Sequence, residues 1–114
     1  MDERRQVPRY LADVNAELSN PPTDSASKVV IEILSVQGCC LRGTGIPEIG
    51  RKCRLSLEWQ GDRIHAESEV AWKSIQGLVG LKFLSMDRES SESLRELLAT
   101  LRMQPMAPMK VEED

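Results

Sequence analysis

The chain has 114 residues, of which 40% are apolar and 29% charged, a composition typical of a single soluble globular domain. Its net charge of −3 argues against sequence-independent binding to DNA or RNA, because such binding needs a broad basic surface. No apolar run is long enough to span a bilayer and no secretory signal is present, so we expect a cytoplasmic protein that does not insert into membranes.

The first ten residues contain three arginines, Arg4, Arg5 and Arg9, ahead of any segment with a regular pattern. Each guanidinium carries a permanent charge and a planar fork of donors. Pro8 fixes its own φ and restricts Val7 to extended geometry, which limits the conformations of this arm. The pattern favours a clamp for a small planar anion, and the alternative is a solvated charged terminus.

Short segments of alternating or β-branched apolar residues predict a series of β-strands. The clearest is 52–59, where polar and apolar residues alternate throughout. A Pro- and Ser-rich segment at 20–27 predicts a surface loop, and Gly61 and Gly77 predict tight turns between neighbouring strands. The predicted strands cover residues 11–18, 28–35, 39–42, 52–59, 63–73 and 78–84.

Strict alternation fixes the expected faces of two of these strands. In the second strand it places Ile33 on the same face as Ile31. Glu32 and Leu34 then share the opposite face, and only a β-bulge would reverse this. In the fifth strand alternation places Trp72 at the end of the apolar face, which predicts that its indole packs in the core.

The last predicted element is a helix over residues 90–103. Its leucines recur with helical spacing and form one apolar stripe, which would pack against the core or in a dimer. Residues 104–114 contain Pro105, Pro108 and an acidic end, and they are predicted to form a disordered tail. Together the elements predict a small, mainly β protein, an antiparallel barrel followed by one helix.

The three cysteines, Cys39, Cys40 and Cys53, are odd in number, and neighbours on a strand point to opposite faces. With one histidine and no Cys-x-x-Cys pair, neither a disulfide nor a metal site is expected. We interpret the thiols as small buried groups. The sequence holds no nucleophile positioned with a base, so we expect no enzymatic activity and no cofactor.

Two motifs within this order of elements resemble those of the PilZ domain family. The first is Arg-x-x-x-Arg, at residues 5–9 (Arg-Gln-Val-Pro-Arg). The second is Asp/Asn-x-Ser-x-x-Gly, at residues 33–38 (Ile-Leu-Ser-Val-Gln-Gly), with Ile33 in place of the acid or amide. The resemblance implies a six-stranded antiparallel barrel with a C-terminal helix. The domain would then cover residues 1–103, with the arm at 1–10, the barrel at 11–86 and the helix at 90–103.

The resemblance also implies a bacterial protein that binds the second messenger cyclic di-GMP. Its arginines would hold the phosphates and guanines, and a serine, a glycine and a tryptophan would complete the site. The ligand-binding residues implied are Arg4, Arg5, Arg9, Ser35, Gly38 and Trp72. Ile33 departs from the pattern, and the hydrogen bond lost there corresponds to about 1.5–3 kcal/mol.

Two functions follow from the resemblance. In the first, the protein is a cyclic di-GMP receptor that relays the signal to an unidentified protein partner in motility or biofilm regulation. In the second, it is a degenerate PilZ domain that binds no cyclic di-GMP and serves as a protein-interaction module in motility or pilus assembly. The three arginines favour the first function and Ile33 favours the second. A homodimer is compatible with both.

Overall fold

The computed structural model describes residues 7–20 and 25–103. Within these ranges the chain forms seven strands and one helix, in the order β1 (Tyr10–Ser19), β2 (Ala26–Leu34), β3 (Gly38–Gly43), β4 (Lys52–Trp59), β5 (Asp62–Lys73), β6 (Leu78–Ser85), α1 (Arg88–Ala99) and β7 (Arg102–Met103). All six predicted strands are present, and β4 has the predicted bounds. Arg4, Arg5 and the predicted tail at 104–114 lie outside the described residues.

Strands β1 to β6 form a closed antiparallel barrel. Their order is β2-β3-β6-β5-β4-β1, and β1 also pairs with β2, which closes the sheet on itself. Tight turns join β4 to β5 at Gly61 and β5 to β6 at Gly77, where the φ values of 85° and 94° favour glycine. The predicted six-stranded barrel with one C-terminal helix is therefore confirmed.

The barrel interior is filled by the apolar faces of its strands. In β4 the inward side chains of Cys53, Leu55 and Leu57 are at most 3% exposed. Removing a large aliphatic side chain from water in this way contributes about 1.5–3 kcal/mol. Ser68 is also fully buried, and its hydroxyl donates to the carbonyl of Ala66 at 3.0 Å, so this polar group keeps a partner inside the barrel.

All three cysteines are free and buried. Burial raises the pKa of the Cys53 thiol to about 11, with a further contribution from the nearby carboxylate of Glu67. Burial also raises the pKa of Cys39, which belongs to the apolar core. The thiols are therefore protonated at neutral pH, and their prediction as small buried groups is confirmed.

Helix α1 is capped at its N-terminus by Asp87. The Asp87 carboxylate accepts the backbone N–H of Ser90 at 2.7 Å, and this hydrogen bond lowers the pKa of the carboxyl. The apolar stripe of the helix packs on the barrel, so it belongs to the core rather than to a free surface. Its buried members are Leu94, Leu97 and Leu98.

The helix ends at Ala99, whereas the sequence predicted a helix as far as residue 103. Thr100 closes the helix, because its N–H and its hydroxyl both donate to the carbonyl of Leu97, at 2.9 and 2.7 Å. Leu101 lies beyond the helix and still packs against the core. Because Leu101 continues the helical spacing of the leucines, the predicted helix was too long at its C-terminal end. No helix in the described ranges is long and apolar enough to cross a membrane.

The two residues of β7 return the chain to the start of β1. Arg102 pairs with Leu11 and Met103 pairs with Tyr10, in antiparallel register. This strand was not predicted, because two residues are too few to show any periodicity. As a consequence, the chain leaves the described ranges close to Arg9, the residue that precedes Tyr10.

A β-bulge in β2 reverses the expected faces at the end of that strand. Ile31 pairs with Leu41 of β3, and Ile33 pairs with the next residue of β3, Cys40, so Glu32 is the extra residue. After the bulge Leu34 points into the core and is 0% exposed, whereas Ile33 points outward. The prediction from strict alternation is therefore wrong at this end of β2.

A second bulge has the same effect in β5. Val70 pairs with Leu81 of β6 and Trp72 pairs with Gly80, so Ala71 is the extra residue. Val70 is fully buried, and Trp72 is turned outward with 42% of its surface exposed. The predicted core position of Trp72 is therefore wrong.

The bulge in β2 predicts unequal effects of two neighbouring substitutions. We expect Leu34→Ala to lower the free energy of unfolding by about 2–5 kcal/mol, because it leaves a cavity in the core. We expect Ile33→Ala to cost less than half as much, because its side chain faces the cleft described below. Urea unfolding of both variants measures the difference. Equal losses, or a larger loss at Ile33, would contradict the bulged register.

Candidate functional site

A cross-strand row on the outer face of the barrel forms the floor of a cleft. Ile33 of β2 pairs with Cys40 of β3, Cys40 pairs with Gly80 of β6, and Gly80 pairs with Trp72 of β5. These four residues from four neighbouring strands line a cleft of about 610 Å³. That volume lies within the range of about 300–1,000 Å³ found for small-molecule sites.

The described end of the N-terminal arm lies over this floor. Val7 and Arg9 line the cleft, and Arg9 is exposed to solvent. Burial raises the pKa of the Cys40 thiol, and the positive charge of the nearby Arg9 guanidinium partly opposes the rise. Arg9 of the arm and Cys40 of the floor thus line the same cleft. Arg4 and Arg5 lie outside the described residues, so their predicted roles stay predictions.

The turn between β2 and β3 forms one wall of the cleft and is braced by Ser35. The Ser35 hydroxyl accepts the N–H groups of Gln37 and Gly38, at 3.1 and 3.2 Å, and donates to the Gly38 carbonyl at 3.3 Å. A serine hydroxyl has one donor and two acceptor positions, so this one is fully used within the turn. Ser35 thus holds the shape of the wall, and its predicted contact with a ligand stays a prediction.

The turn is also fixed to the neighbouring strand. The N–H of Phe83 in β6 donates to the carbonyl of Gln37 at 2.9 Å, and the N–H of Ser35 donates to the Gly38 carbonyl at 2.9 Å. A Cβ atom on Gly38 would collide with the backbone carbonyl of Leu81. Close packing of the turn on β6 therefore requires glycine at this position, whether or not a ligand also approaches it.

Gly80 has a different role, because its missing side chain makes room for Trp72. A Cβ atom on Gly80 would meet the Cε2, Nε1 and Cδ1 atoms of the Trp72 indole. The ring therefore lies directly against the glycine backbone, and its remaining exposed surface lines the cleft. An aromatic surface held in this way can stack against a planar ligand.

The described lining of the cleft carries positive charge without any carboxylate. Its charged residues are Arg9 and Lys82, both exposed. Among the described residues neither forms an ion pair, whereas four other arginines do, in the pairs Arg42–Glu32, Arg54–Glu67, Arg63–Glu58 and Arg88–Glu92. The cleft is thus a local cationic surface on an acidic protein, and it suits an anion.

The sequence did not identify Lys82 as a site residue. The signal that could have found it is the alternation of β6, where Gly80 and Lys82 lie on the outer face between inward residues. Gly38 pairs with Lys82 in the same register that joins Cys40 to Gly80. Detecting it would have required knowing that β3 lies beside β6, which no local pattern reports.

Two other surface cavities differ from the cleft in charge or size. A cavity of about 980 Å³ on β1 to β5 has three positive and three negative side chains among its described lining residues, so it has no preference for an anion. A smaller groove of about 310 Å³ between β6 and α1 is lined by both apolar and polar side chains. That groove shares Val36 and Phe83 with the cleft.

Among the described residues, no groups for metal binding or acid–base chemistry are assembled in the cleft. The described ranges contain no group of three His, Cys, Asp or Glu residues placed to hold a metal ion. The Nδ1 atom of His65 lies 2.9 Å from the hydroxyl of Ser56, outside the cleft lining. The cleft therefore offers charge, an aromatic surface and backbone groups, which are suited to binding.

Comparison with known proteins identifies the fold. A model of the PilZ domain matches residues 3–100. The chain resembles the PilZ domain with c-di-GMP of YcgR from Escherichia coli, at 13% identity and a TM-score of 0.68 over 87% of this chain and 92% of that one. It also resembles the PilZ domain of CeSA from a cellulose-synthesizing bacterium, at 14% identity and a TM-score of 0.65 over 80% and 94%. No curated protein sequence matches the chain.

Alanine substitution at the two glycines separates their roles. We expect Gly80→Ala to displace the half-exposed Trp72 ring, which shifts its fluorescence and its indole N–H resonance while the melting temperature stays near that of the wild type. We expect Gly38→Ala to lower the melting temperature clearly, because its new methyl group meets backbone. A Trp59→Phe background isolates the Trp72 signal. An unshifted Trp72 signal in Gly80→Ala would contradict the packing described.

Proposed function

The chain belongs to the PilZ domain family, and we propose that it is a receptor that binds cyclic di-GMP in the cleft and passes the signal to a protein partner. The observation that carries this proposal is the cationic lining of the cleft beside the exposed face of Trp72, in which the described residues include no carboxylate. Cyclic di-GMP combines two phosphates with two planar bases. The cations of the cleft therefore match the phosphates of the ligand, and the aromatic surface matches its bases.

The roles proposed for the residues follow from their chemistry. A guanidinium can bond a phosphate through two parallel hydrogen bonds, or pair with the O6 and N7 atoms of guanine. Arg9 would do so together with Arg4 and Arg5, and Lys82 would add a second charge from the floor. Trp72 would stack on a guanine, an interaction worth about 1–3 kcal/mol per base.

The position of the cleft suggests how a signal would reach a partner. The cleft and the groove between β6 and α1 share Val36 and Phe83, and the N–H of Phe83 is hydrogen-bonded to the carbonyl of Gln37 in the turn. A ligand that contacts the turn and orders the arm would therefore change the surface next to this groove. We propose that the response passes to a protein that binds there, and that the domain itself catalyses no reaction.

A second function is favoured by the side chain of Ile33. Ile33 lines the cleft at the position where the family motif has an acid or amide, and its side chain can form no hydrogen bond with a guanine edge. In this second function, a PilZ domain with isoleucine at this position has lost the ability to bind the nucleotide and has kept only its contacts with proteins. The two functions differ in one measurable property, the affinity for cyclic di-GMP.

Calorimetric titration with cyclic di-GMP tests the proposal. We expect the wild type to bind, and Arg9→Ala to bind about ten- to a hundredfold more weakly, because a hydrogen bond to a charged group is lost. Arg51→Ala removes an exposed arginine outside the cleft and is the matched control. No heat and no change in melting temperature at high ligand excess would contradict the receptor and favour the protein-interaction module.

Substitution of Ile33 tests whether the departure from the motif limits affinity. We expect Ile33→Asp and Ile33→Asn to strengthen binding of cyclic di-GMP by about ten- to a hundredfold, because either side chain can hydrogen-bond the guanine. Ile33→Val keeps the site apolar and should leave the affinity unchanged. The same titration measures all three variants, and equal affinities of the Asp, Asn and Val variants would contradict this role of position 33.

A further inference from the structure

Strand β7 brings the end of the described chain to the start of β1, next to the N-terminal arm. Its pairing with β1 is antiparallel, with Arg102 opposite Leu11 and Met103 opposite Tyr10. The described chain therefore ends at Met103 beside Tyr10, the residue that follows Arg9. Arg9 is the cation of the arm that lines the cleft, so the attachment point of the segment 104–114 is close to the cleft.

The segment at 104–114 ends in three consecutive acids, Glu112, Glu113 and Asp114, with one lysine before them. Glu112 is nine positions after Met103 in the sequence, and an extended chain of that length spans roughly 30 Å at about 3.3 Å per residue. The acids can therefore reach any part of the cleft.

The cleft supplies charges that these acids complement. Among the described residues Arg9 and Lys82 lack ion-pair partners, and the described lining contains no carboxylate. A carboxylate binds a guanidinium with the same two-oxygen geometry as a phosphate. A tethered anion also acts at an effective concentration of about a millimolar, which makes weak contacts significant.

We propose that the acidic segment 112–114 binds the cationic side of the cleft within the same chain and competes there with an anionic ligand. The competition with cyclic di-GMP rests on the proposed function, whereas the contact between the segment and the cleft does not. The segment would thus set the concentration of ligand needed for binding. Ligand binding would release the segment, because both use the same cations.

Neutralising the three acids in the full-length chain tests this competition. We expect the triple variant Glu112→Gln, Glu113→Gln, Asp114→Asn to bind cyclic di-GMP about three- to tenfold more tightly at low salt, the size expected for a few exposed charge contacts. The gain should disappear near 1 M salt, where the Debye length is about 3 Å.

The control is a triple variant with the same change in net charge on the exposed face of α1, made by Gln substitution at Glu89, Glu92 and Glu96. It should leave the affinity unchanged. An equal gain in this control would mean that net charge acts at long range, and it would overturn the proposal. An affinity equal to the wild type in the acidic-segment variant would also overturn it.

A measurement without ligand separates this inference from the proposed function. We expect neutralisation of the acidic segment to shift the NMR signals of the Arg9 amide and the Trp72 indole N–H, and the control to leave them unchanged. Such shifts without cyclic di-GMP binding in any variant would overturn only the receptor. Binding with no shifts and no change in affinity would overturn only the acidic-segment contact. Shifts that depend on protein concentration would indicate contact between chains and contradict the proposal.

Discussion

Relative to β3, the strand β2 contains one extra residue, and β5 contains one extra residue relative to β6 between Val70 and Trp72. Each insertion reverses the faces of the residues that follow it. Both reversals end on the same cross-strand row, where Ile33 and Trp72 are turned outward on either side of Cys40 and Gly80. With regular pairing, alternation would have sent both large side chains into the barrel. The cleft floor therefore depends on the backbone register before it depends on the identity of any one side chain.

The same bulges are compatible with a stable barrel because other residues compensate for them. Leu34 is turned inward where Ile33 is turned outward, so the core keeps a large aliphatic side chain at this end of β2. The bulged residue Glu32 bonds Arg42 at 2.8 Å, and Gly80 leaves space for the displaced indole. Core packing and the shape of the cleft are thus determined by the same register.

Much of the fold could be predicted from the sequence, because alternating residues and glycine turns are local signals. The predicted bounds of β4 agree with the structure for this reason, and Gly61 and Gly77 lie at the predicted turns. The bulges were not predicted, because an extra residue is defined only against a partner strand that lies far away in sequence. Ile33 and Leu34 are both large and aliphatic, so composition could not indicate which of them faces the core.

The candidate site was only partly predictable for a related reason. The motifs pointed to Arg9 and to the turn at residues 35–38, which line the cleft, but they did not separate residues that shape the cleft from residues that face its interior. Ser35 uses all its hydrogen-bonding capacity within the turn, and Gly38 is required by the Leu81 carbonyl. That distinction became visible only when the hydrogen bonds and the packing were known.

The distinction between residues that shape the cleft and residues that face its interior limits which side chains can bind a ligand there. With Ser35 engaged in the turn and Ile33 unable to hydrogen-bond, the side chains left to hold an anion on the described lining are chiefly the cations Arg9 and Lys82. Exposed charges are screened by salt and respond to every other charge nearby. A site built in this way is therefore unusually sensitive to a tethered anion. For this reason the pairing of β7 with β1, which brings the end of the described chain close to the cleft, matters as much to the proposed regulation as the residues of the cleft.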